Sequence, residues 1–329
     1  MPQSEPVDQP ADAQRIPISL VLGSGGARGY AHIGVIEELI TQGFDIQSIA
    51  GSSMGALVGG VYAAGKLQAY RDWVVPLAKF DVFRLLDITI SGGGFIKGDR
   101  IINAMREHVG DIAIEDLPIS FTAVAVDLDA HREVWFSHGS LFEAIRASIA
   151  IPTVFRPHRY QGRLLVDGGL LNPVPVSPTL RDTTKATIAV DVNGPEESLD
   201  ELFAGELGPG IEADGEISAY IEAADSPVKP GNRVGRLLGS WFGSADKPAA
   251  DAAEPSILEL LGRSLDTVQE TITRLKLAAQ PPDLLITIPR NASTFYDFHR
   301  AETLIEIGRL RTRQALARWS PAGTIGRLR

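Results

Sequence analysis

The fold class of this chain is predicted by residues 17–43, PISLVLGSGGARGYAHIGVIEELITQG. The first six of these residues, 17–22, form a short apolar run that is typical of a buried strand. A glycine-rich turn at residues 23–29 follows, and apolar residues then recur at helical spacing until the chain reaches Gly43. A strand, a tight turn and a helix in immediate succession predict the opening unit of an α/β fold.

The same alternation continues along the rest of the chain. Further strands are predicted at residues 47–50, 119–128, 133–136, 162–166, 186–192 and 284–288. Further helices are predicted at residues 53–64, 67–86, 99–109, 141–148, 256–279 and 301–319. This order of elements predicts an α/β fold with a largely parallel sheet.

Composition separates one ordered domain from two atypical segments. Residues 1–15 are acidic and proline-rich, and we expect them to form a disordered tail. Residues 196–255 are rich in Gly, Pro, Ala and acidic residues, and we expect a flexible acidic insertion there. The ordered domain is then expected to comprise residues 16–195 and 256–319.

A short amphipathic stripe interrupts the expected insertion. Val234, Leu237, Leu238, Trp241 and Phe242 follow the spacing of one helix face. Two interpretations are open, because such a stripe either packs against the domain or lies in a lipid interface.

The distribution of charge limits the classes of partner that we expect this chain to bind. The formal net charge is −10, and residues 196–225 alone hold ten acidic residues without Lys or Arg. The remainder is close to neutral, so we do not expect nucleic acid to bind through a general basic field. Residues 300–329 hold seven Arg against two Glu, which form either a solvated face or a contact for anionic headgroups.

The absence of cysteine and of a long apolar run bears on where the protein works. The chain contains no cysteine, which suits a reducing compartment. No apolar run is long enough to span a bilayer. We therefore expect a cytoplasmic protein that makes at most a peripheral contact with the inner membrane.

The motif Gly51-Ser52-Ser53-Met54-Gly55 matches the G-x-S-x-G pattern of a serine nucleophile. It stands between a predicted strand and a predicted helix, where small neighbours allow the sharp turn that the chemistry requires. The helix N-terminus would stabilise negative charge near the serine oxygen. Ser53 is thus a candidate nucleophile, supported by Gly51 and Gly55, and a serine that only caps the helix is the alternative.

The glycine loop, residues 23–29, can point several backbone N–H groups at one position, as an oxyanion hole requires. A dinucleotide site fits less well, because its fingerprint would place a glycine where Arg28 stands. Asp45 also precedes the second predicted strand, whereas a ribose-binding acid should end it. We expect an anion-stabilising loop whose carbonyl groups are braced by Arg28.

A candidate general base is harder to choose from spacing alone. Asp167 ends a predicted strand, and Gly168 and Gly169 after it would let other groups approach closely. Asp127 and Asp191 also end predicted strands, so the three acids remain equivalent at this point.

A family resemblance distinguishes them. The motifs G-x-G-G-x-R-G, G-x-S-x-G and D-G-G, in this order, resemble those of the patatin-like phospholipase family, and residues 147–152 resemble its A-S-x-A-x-P block. Residues 132–136 and 294–300 are similar to the bacterial RssA-type members, which are related to the catalytic domain of neuropathy target esterase. The resemblance covers residues 16–195 strongly and 256–310 more loosely. It implies a three-layer α/β/α fold with a mostly parallel central sheet.

The resemblance also implies an activity and a catalytic dyad. It makes Ser53 the nucleophile and Asp167 the general base, with the amides of Gly25, Gly26 and Ala27 holding the oxyanion. The implied enzyme is a serine lipid acyl hydrolase that cleaves carboxylic esters of lipids or lysolipids without a cofactor.

Two other functions remain open. In a Ser–His–Asp hydrolase of the α/β-hydrolase type, the three residues occur along the chain in the order Ser, Asp, His. His299 is the histidine that follows Asp167, so it is the candidate for such a triad. A regulatory or membrane-binding protein that retains the fold is the second alternative, although an intact Ser53, Asp167 and glycine loop argue against lost activity. No H-E-x-x-H or C-x-x-C pattern occurs, so no metal site is expected.

Overall fold

The computed structural model describes residues 15–85, 98–152, 154–199, 202 and 257–319. Nearly all of the expected tail and most of the expected insertion lie outside these residues. The amphipathic stripe at residues 234–242 lies outside them as well, so both of its interpretations stay predictions.

Eight strands form one sheet in the described part of the chain. They are β1 Ile16–Leu22, β2 Phe44–Ser52, β3 Ser120–Asp127, β4 Arg132–Phe136, β5 His158–Tyr160, β6 Arg163–Asp167, β7 Ala186–Gly194 and β8 Leu284–Pro289. All pairings among β1, β2, β3, β7 and β8 are parallel, whereas β4, β5 and β6 pair in antiparallel fashion. The predicted mostly parallel sheet is confirmed.

Helices cover both faces of this sheet. They are α1 Ala31–Thr41, α2 Met54–Ala63, α3 Leu67–Val74, α4 Lys79–Leu85, α5 Asp99–Val109, α6 Leu141–Ser148, α7 Ile257–Ala279 and α8 Ala301–Arg318. Successive side chains of β1 lie on opposite faces of the sheet. Leu20 and Leu22 belong to the large hydrophobic cluster with α1, α2 and α8. Val21 instead packs with Ala189 of β7 and against Leu277 of α7. The three-layer α/β/α arrangement follows from this period of two.

Strand β3 organises the part of the sheet that positions the site. One edge of β3 pairs with β4 along its residues 123–127. The other edge pairs first with β2, where Val124 faces Ser52, and then with β6, where Ala125 faces Asp167. Because β2 is parallel and β6 antiparallel to β3, the two strands lie end to end and their carboxyl ends face each other.

Two predicted boundaries differ from the structure for local reasons. The predicted helix at 67–86 is two helices, α3 and α4, because Pro76 between them lacks an N–H group and disfavours a helical residue before it. Strand β2 begins at Phe44 rather than at residue 47, because Phe44 and Ile46 are buried on the sheet. Asp45 therefore lies inside β2, but at its amino end, where it still does not end the strand.

Two further differences concern strands β7 and β5. Strand β7 continues beyond residue 192 to Gly194, so Asp191 lies within the strand and does not end it. Strand β5 was not predicted, since three residues carry no clear period. It forms a hairpin with β6 through Gln161 and Gly162, both of which have positive φ angles.

Candidate active site

Ser53 lies on the sharp turn between β2 and α2. Its backbone adopts φ 55° and ψ −124°, a conformation that L-residues rarely occupy. The Ser53 amide donates to Ser148 Oγ at 2.9 Å, and its carbonyl accepts from the Leu57 amide at 3.1 Å. A Cβ at Gly55 would lie 2.0 Å from the Leu22 carbonyl oxygen, so glycine is required for α2 to approach β1. These contacts hold the serine in the strained conformation of a nucleophile turn.

Two serines that the sequence analysis did not single out support this turn. Ser148, at the end of α6, donates from Oγ to the Val124 carbonyl at 2.6 Å while it accepts from the Ser53 amide. Ser52 donates to the Asn172 carbonyl at 2.7 Å. Ser148 falls within the block at residues 147–152, and that block was the available sign of its importance. Gly51 is the penultimate residue of β2.

Asp167 is the last residue of β6 and is 4% exposed. Burial raises its pKa from 3.8 to about 7, and the hydroxyl of Ser53 and the amide of Gly169 lower it in part. Oδ1 accepts from the Gly169 amide at 2.7 Å. Oδ2 is buried and has no hydrogen bond of acceptable geometry with any residue that the structure describes. The carboxyl group is therefore close to Ser53, poised to titrate near neutrality and able to accept a proton.

The loop after Asp167 packs tightly against residues next to Ser53. Gly168 lies so close to β3 that an added Cβ would come within 2.1 Å of the Val124 carbonyl oxygen and 2.7 Å of Ser52 Oγ. Gly168 and Gly169 also open a short 3₁₀ helix, Gly168–Leu170. These residues thus bring the acid against the end of β2.

The glycine loop packs against α2 and α8 and continues into a short 3₁₀ helix, Gly26–Tyr30. The Ser24 amide donates to the Pro173 carbonyl at 2.8 Å. The amides of Gly25 and Gly26 have no acceptor among the described residues. The third expected donor differs, because the Ala27 amide donates to the Phe295 carbonyl at 2.9 Å. In this structure two of the three expected amides are therefore free for an oxyanion.

Arg28 braces carbonyl groups, but not those of its own loop. The side chain is 9% exposed, and it donates to the carbonyls of Val192 at 3.0 Å and Ser293 at 3.1 Å. It also donates from Nη2 to Asn193 Oδ1 at 2.6 Å. These contacts correct the expectation that Arg28 braces the glycine loop directly. They tie the loop to the end of β7 and to the segment after β8.

Comparison with known proteins assigns the family. Residues 20–180 match the family model described as patatin-like phospholipase. An uncharacterized NTE family protein of Mycobacterium tuberculosis is 41% identical over 337 residues, which cover 91% of each chain. Neuropathy target esterase sws of Drosophila melanogaster is 30% identical over 188 residues, which cover 55% of this chain and 13% of that protein.

The chain belongs to the patatin-like phospholipase family. Membership of this family implies lipid acyl hydrolase activity. The resemblance read from the three glycine motifs is thereby confirmed, together with the relation to neuropathy target esterase.

His299, the histidine of the alternative triad, lies between β8 and α8. His299 is half-buried, and burial and the charge of Lys79 lower its pKa. No hydrogen bond joins it to Ser53 or Asp167 within the described ranges. His32 contacts the glycine loop, since its Nε2 lies 2.8 Å from the Gly23 carbonyl oxygen. Burial lowers the pKa of His32 to about 4, so it is a neutral support of the glycine loop at neutral pH.

Helices that could cross a membrane and clusters that could hold a metal ion are both absent among the described residues. No helix among them is both long enough and apolar enough to cross a membrane. In the same part of the patatin-like chain, no three His, Cys, Asp or Glu residues come together as metal ligands.

Proposed function

We propose that this chain is a serine lipid acyl hydrolase in which Ser53 is the nucleophile and Asp167 the general base. Its substrates would be carboxylic esters of lipids or lysolipids, met at a membrane surface through peripheral contact. The main support for this proposal is that the carboxyl ends of β2 and β6 lie next to each other. This arrangement places Ser53, in its strained turn, beside the buried carboxyl group of Asp167.

The first half of the reaction forms an acyl-enzyme. Ser53 Oγ attacks the ester carbonyl carbon and passes its proton to Asp167, whose Oδ2 has no hydrogen bond among the described residues. The carbonyl oxygen becomes an oxyanion held by the amides of Gly25 and Gly26. One such donor typically contributes about 2.7–4 kcal/mol to transition-state stabilisation. The tetrahedral intermediate then expels the alcohol, which takes the proton from Asp167.

The second half releases the fatty acid. Water attacks the acyl group on Ser53 and gives a proton to Asp167, and the same two amides hold the second oxyanion. Collapse of this intermediate breaks the bond to Ser53 Oγ, which recovers the proton from Asp167. One ester and one water thus yield one carboxylic acid and one alcohol, and the enzyme is regenerated.

Burial explains how an aspartate can act without a histidine. An aspartate in water is a weak base because its pKa is about 3.9. A pKa of about 7 for Asp167 matches the proton affinity needed near neutral pH. Esters suit this base because an alkoxide leaves more readily than an amide nitrogen.

A fluorophosphonate probe tests the nucleophile directly, since it forms a covalent bond with an activated serine. We expect mass spectrometry to place the label on Ser53, and Ser53→Ala to lose both labelling and hydrolysis of a lysophospholipid. Ser52→Ala is the matched control, because Ser52 is adjacent and buried but bonds to the Asn172 carbonyl. Labelling that persists in Ser53→Ala and vanishes in Ser52→Ala would contradict the assignment.

A further inference from the structure

Strand β7 contains one extra residue beside β8 shortly before it ends. Asp191 pairs with Thr287 and Gly194 with Pro289, so three steps along β7 oppose two along β8. Bulges of this kind re-aim a side chain and are common next to active sites. The Asn193 amide donates to Asp191 Oδ1 at 2.9 Å, which fixes the bulge. The bulge directs the side chain of Asn193 toward the glycine loop.

Asn193 connects Arg28 to the glycine loop through both ends of its side-chain amide. Nδ2 donates to the Ser24 carbonyl at 2.6 Å, and Oδ1 accepts from Arg28 Nη2 at 2.6 Å. A guanidinium group has donors and no acceptor, so it must face the oxygen of the amide. Arg28 therefore determines that the nitrogen end of Asn193 faces Ser24.

Because the peptide bond is planar, the contact between Asn193 and the Ser24 carbonyl also orients the Gly25 N–H group. The Ser24 carbonyl and the Gly25 N–H belong to one trans peptide unit and point in opposite directions. A hydrogen bond that holds the Ser24 oxygen toward Asn193 consequently turns the Gly25 N–H away from Asn193. The Gly25 amide is one of the two loop amides without an acceptor in the described part of the chain.

We propose that Asn193 is a positioning residue of the oxyanion hole, which aims the Gly25 amide by holding the Ser24 carbonyl. Arg28 acts through Asn193 by fixing the orientation of its side-chain amide. The inference rests on the proposed function of Ser53 as the nucleophile.

Replacing Asn193 with aspartate gives the sharpest test. Asn193→Asp keeps the shape and the bond from Arg28, but its carboxylate repels the Ser24 oxygen. Rotation of the Ser24–Gly25 peptide relieves this repulsion, and Gly25 offers little resistance to it. The rotated peptide presents its carbonyl oxygen to the developing oxyanion. We expect kcat for a short soluble ester to fall about 100-fold or more, as after loss of an oxyanion donor, with KM changed less than about threefold.

A second substitution separates positioning from folding. Asn193→Leu has a similar size but neither repels the Ser24 oxygen nor accepts from Arg28, so its kcat should fall only about tenfold. Its thermal stability should be the lower of the two, because a buried guanidinium donor is left without its acceptor. Activity should thus rank Leu above Asp, while melting temperature ranks Asp above Leu. A purely structural role would make both rankings the same, and that result would overturn the inference.

A nearby asparagine provides the matched control. The side chain of Asn291 bridges the amide and the carbonyl of Glu197, at 3.1 and 2.8 Å, and makes no hydrogen bond with the glycine loop in the described part of the chain. Asn291→Asp makes the same change of charge and should leave kcat within about twofold of wild type. If Asn193→Asp is equally active while Ser53→Ala is inactive, the positioning inference alone fails. Activity in Ser53→Ala would instead overturn the proposed function.

Discussion

Asp127 and Asp167 end two strands that pair in the same sheet, and each is 4% exposed, yet their surroundings differ. Asp127 Oδ1 accepts from the Ala130 amide at 3.0 Å, and Oδ2 lies 3.9 Å from Arg163 Nε. Asp167 accepts one amide hydrogen bond, and its second oxygen has none among the described residues. Burial therefore does not make a general base by itself. Among the described residues, Asp167 differs from Asp127 in having no salt bridge and in keeping one carboxyl oxygen without a hydrogen bond.

Asp191 represents an intermediate case between these two aspartates. Burial raises its pKa, but the Asn193 amide and the charges of Arg28 and Arg290 lower it. It also lies within β7 and holds the bulge at Asn193. Its carboxylate is thus committed to structure, whereas that of Asp167 is available for chemistry.

The largest expected effect comes from removing the charge of each strand-end aspartate in turn. Asp167→Asn should lower kcat by roughly 10² to 10⁴, because a general base is lost. Asp127→Asn should change kcat by less than about threefold, because Asp127 bonds to a surface turn and to Arg163. Initial rates of hydrolysis of a soluble ester would measure both. Similar losses in the two folded variants would remove the distinction between the aspartates.

The pH dependence sharpens the same comparison. Asp167 must be ionised to accept the serine proton, and burial raises its pKa to about 7. Activity should therefore be about half-maximal at pH 7, approach its maximum about one pH unit higher, and fall about tenfold for each pH unit well below 7. The measurement is kcat/KM against pH, with a substrate that does not titrate between pH 5 and 9. A fall that begins only near pH 4 would show that the base is not a buried carboxyl group.

The next effect concerns stability and has the opposite sign to the effect on activity. The pKa of Asp167 is higher in the folded than in the unfolded protein, so wild type loses stability as pH rises from 3.8 to about 7. Asparagine stays neutral throughout. The free energy of unfolding of Asp167→Asn, relative to wild type, should increase by about 2–3 kcal/mol between pH 5 and pH 7.

Urea unfolding at the two pH values would measure this difference. Asp127→Asn is the control, because it removes the partner of Arg163 and should not gain stability. A gain for Asp167→Asn that does not change with pH would argue against an ionised, buried Asp167.

The smallest expected effect is that of His299→Ala. His299 makes no hydrogen bond with Ser53 or Asp167 in the described ranges, so kcat should change less than about threefold. Ester hydrolysis by this variant would be compared with that of Asp167→Asn. If the two substitutions were equally damaging in folded protein, a Ser–His–Asp triad would replace the dyad.

Local patterns predicted most of the elements that frame the site. The bounds of α6 were predicted to the residue, because Ser140 caps the helix and the apolar period is clear. Helix α7 and strand β8 were predicted to within one residue at each end. The end of β7 was missed because a bulge depends on a partner strand about a hundred residues later.

Sequence patterns alone identified the candidate nucleophile, the glycine loop and the order of the motifs, because each is a short pattern with its own local geometry. They left Asp127, Asp167 and Asp191 equivalent as far as spacing could tell. The family resemblance pointed to Asp167, but the physical differences among the three appear only in the tertiary structure, because burial, strand pairing and nearby cations depend on residues far apart in the chain. The same holds for Asn193, whose bond to Ser24 spans 169 positions and has no local signal.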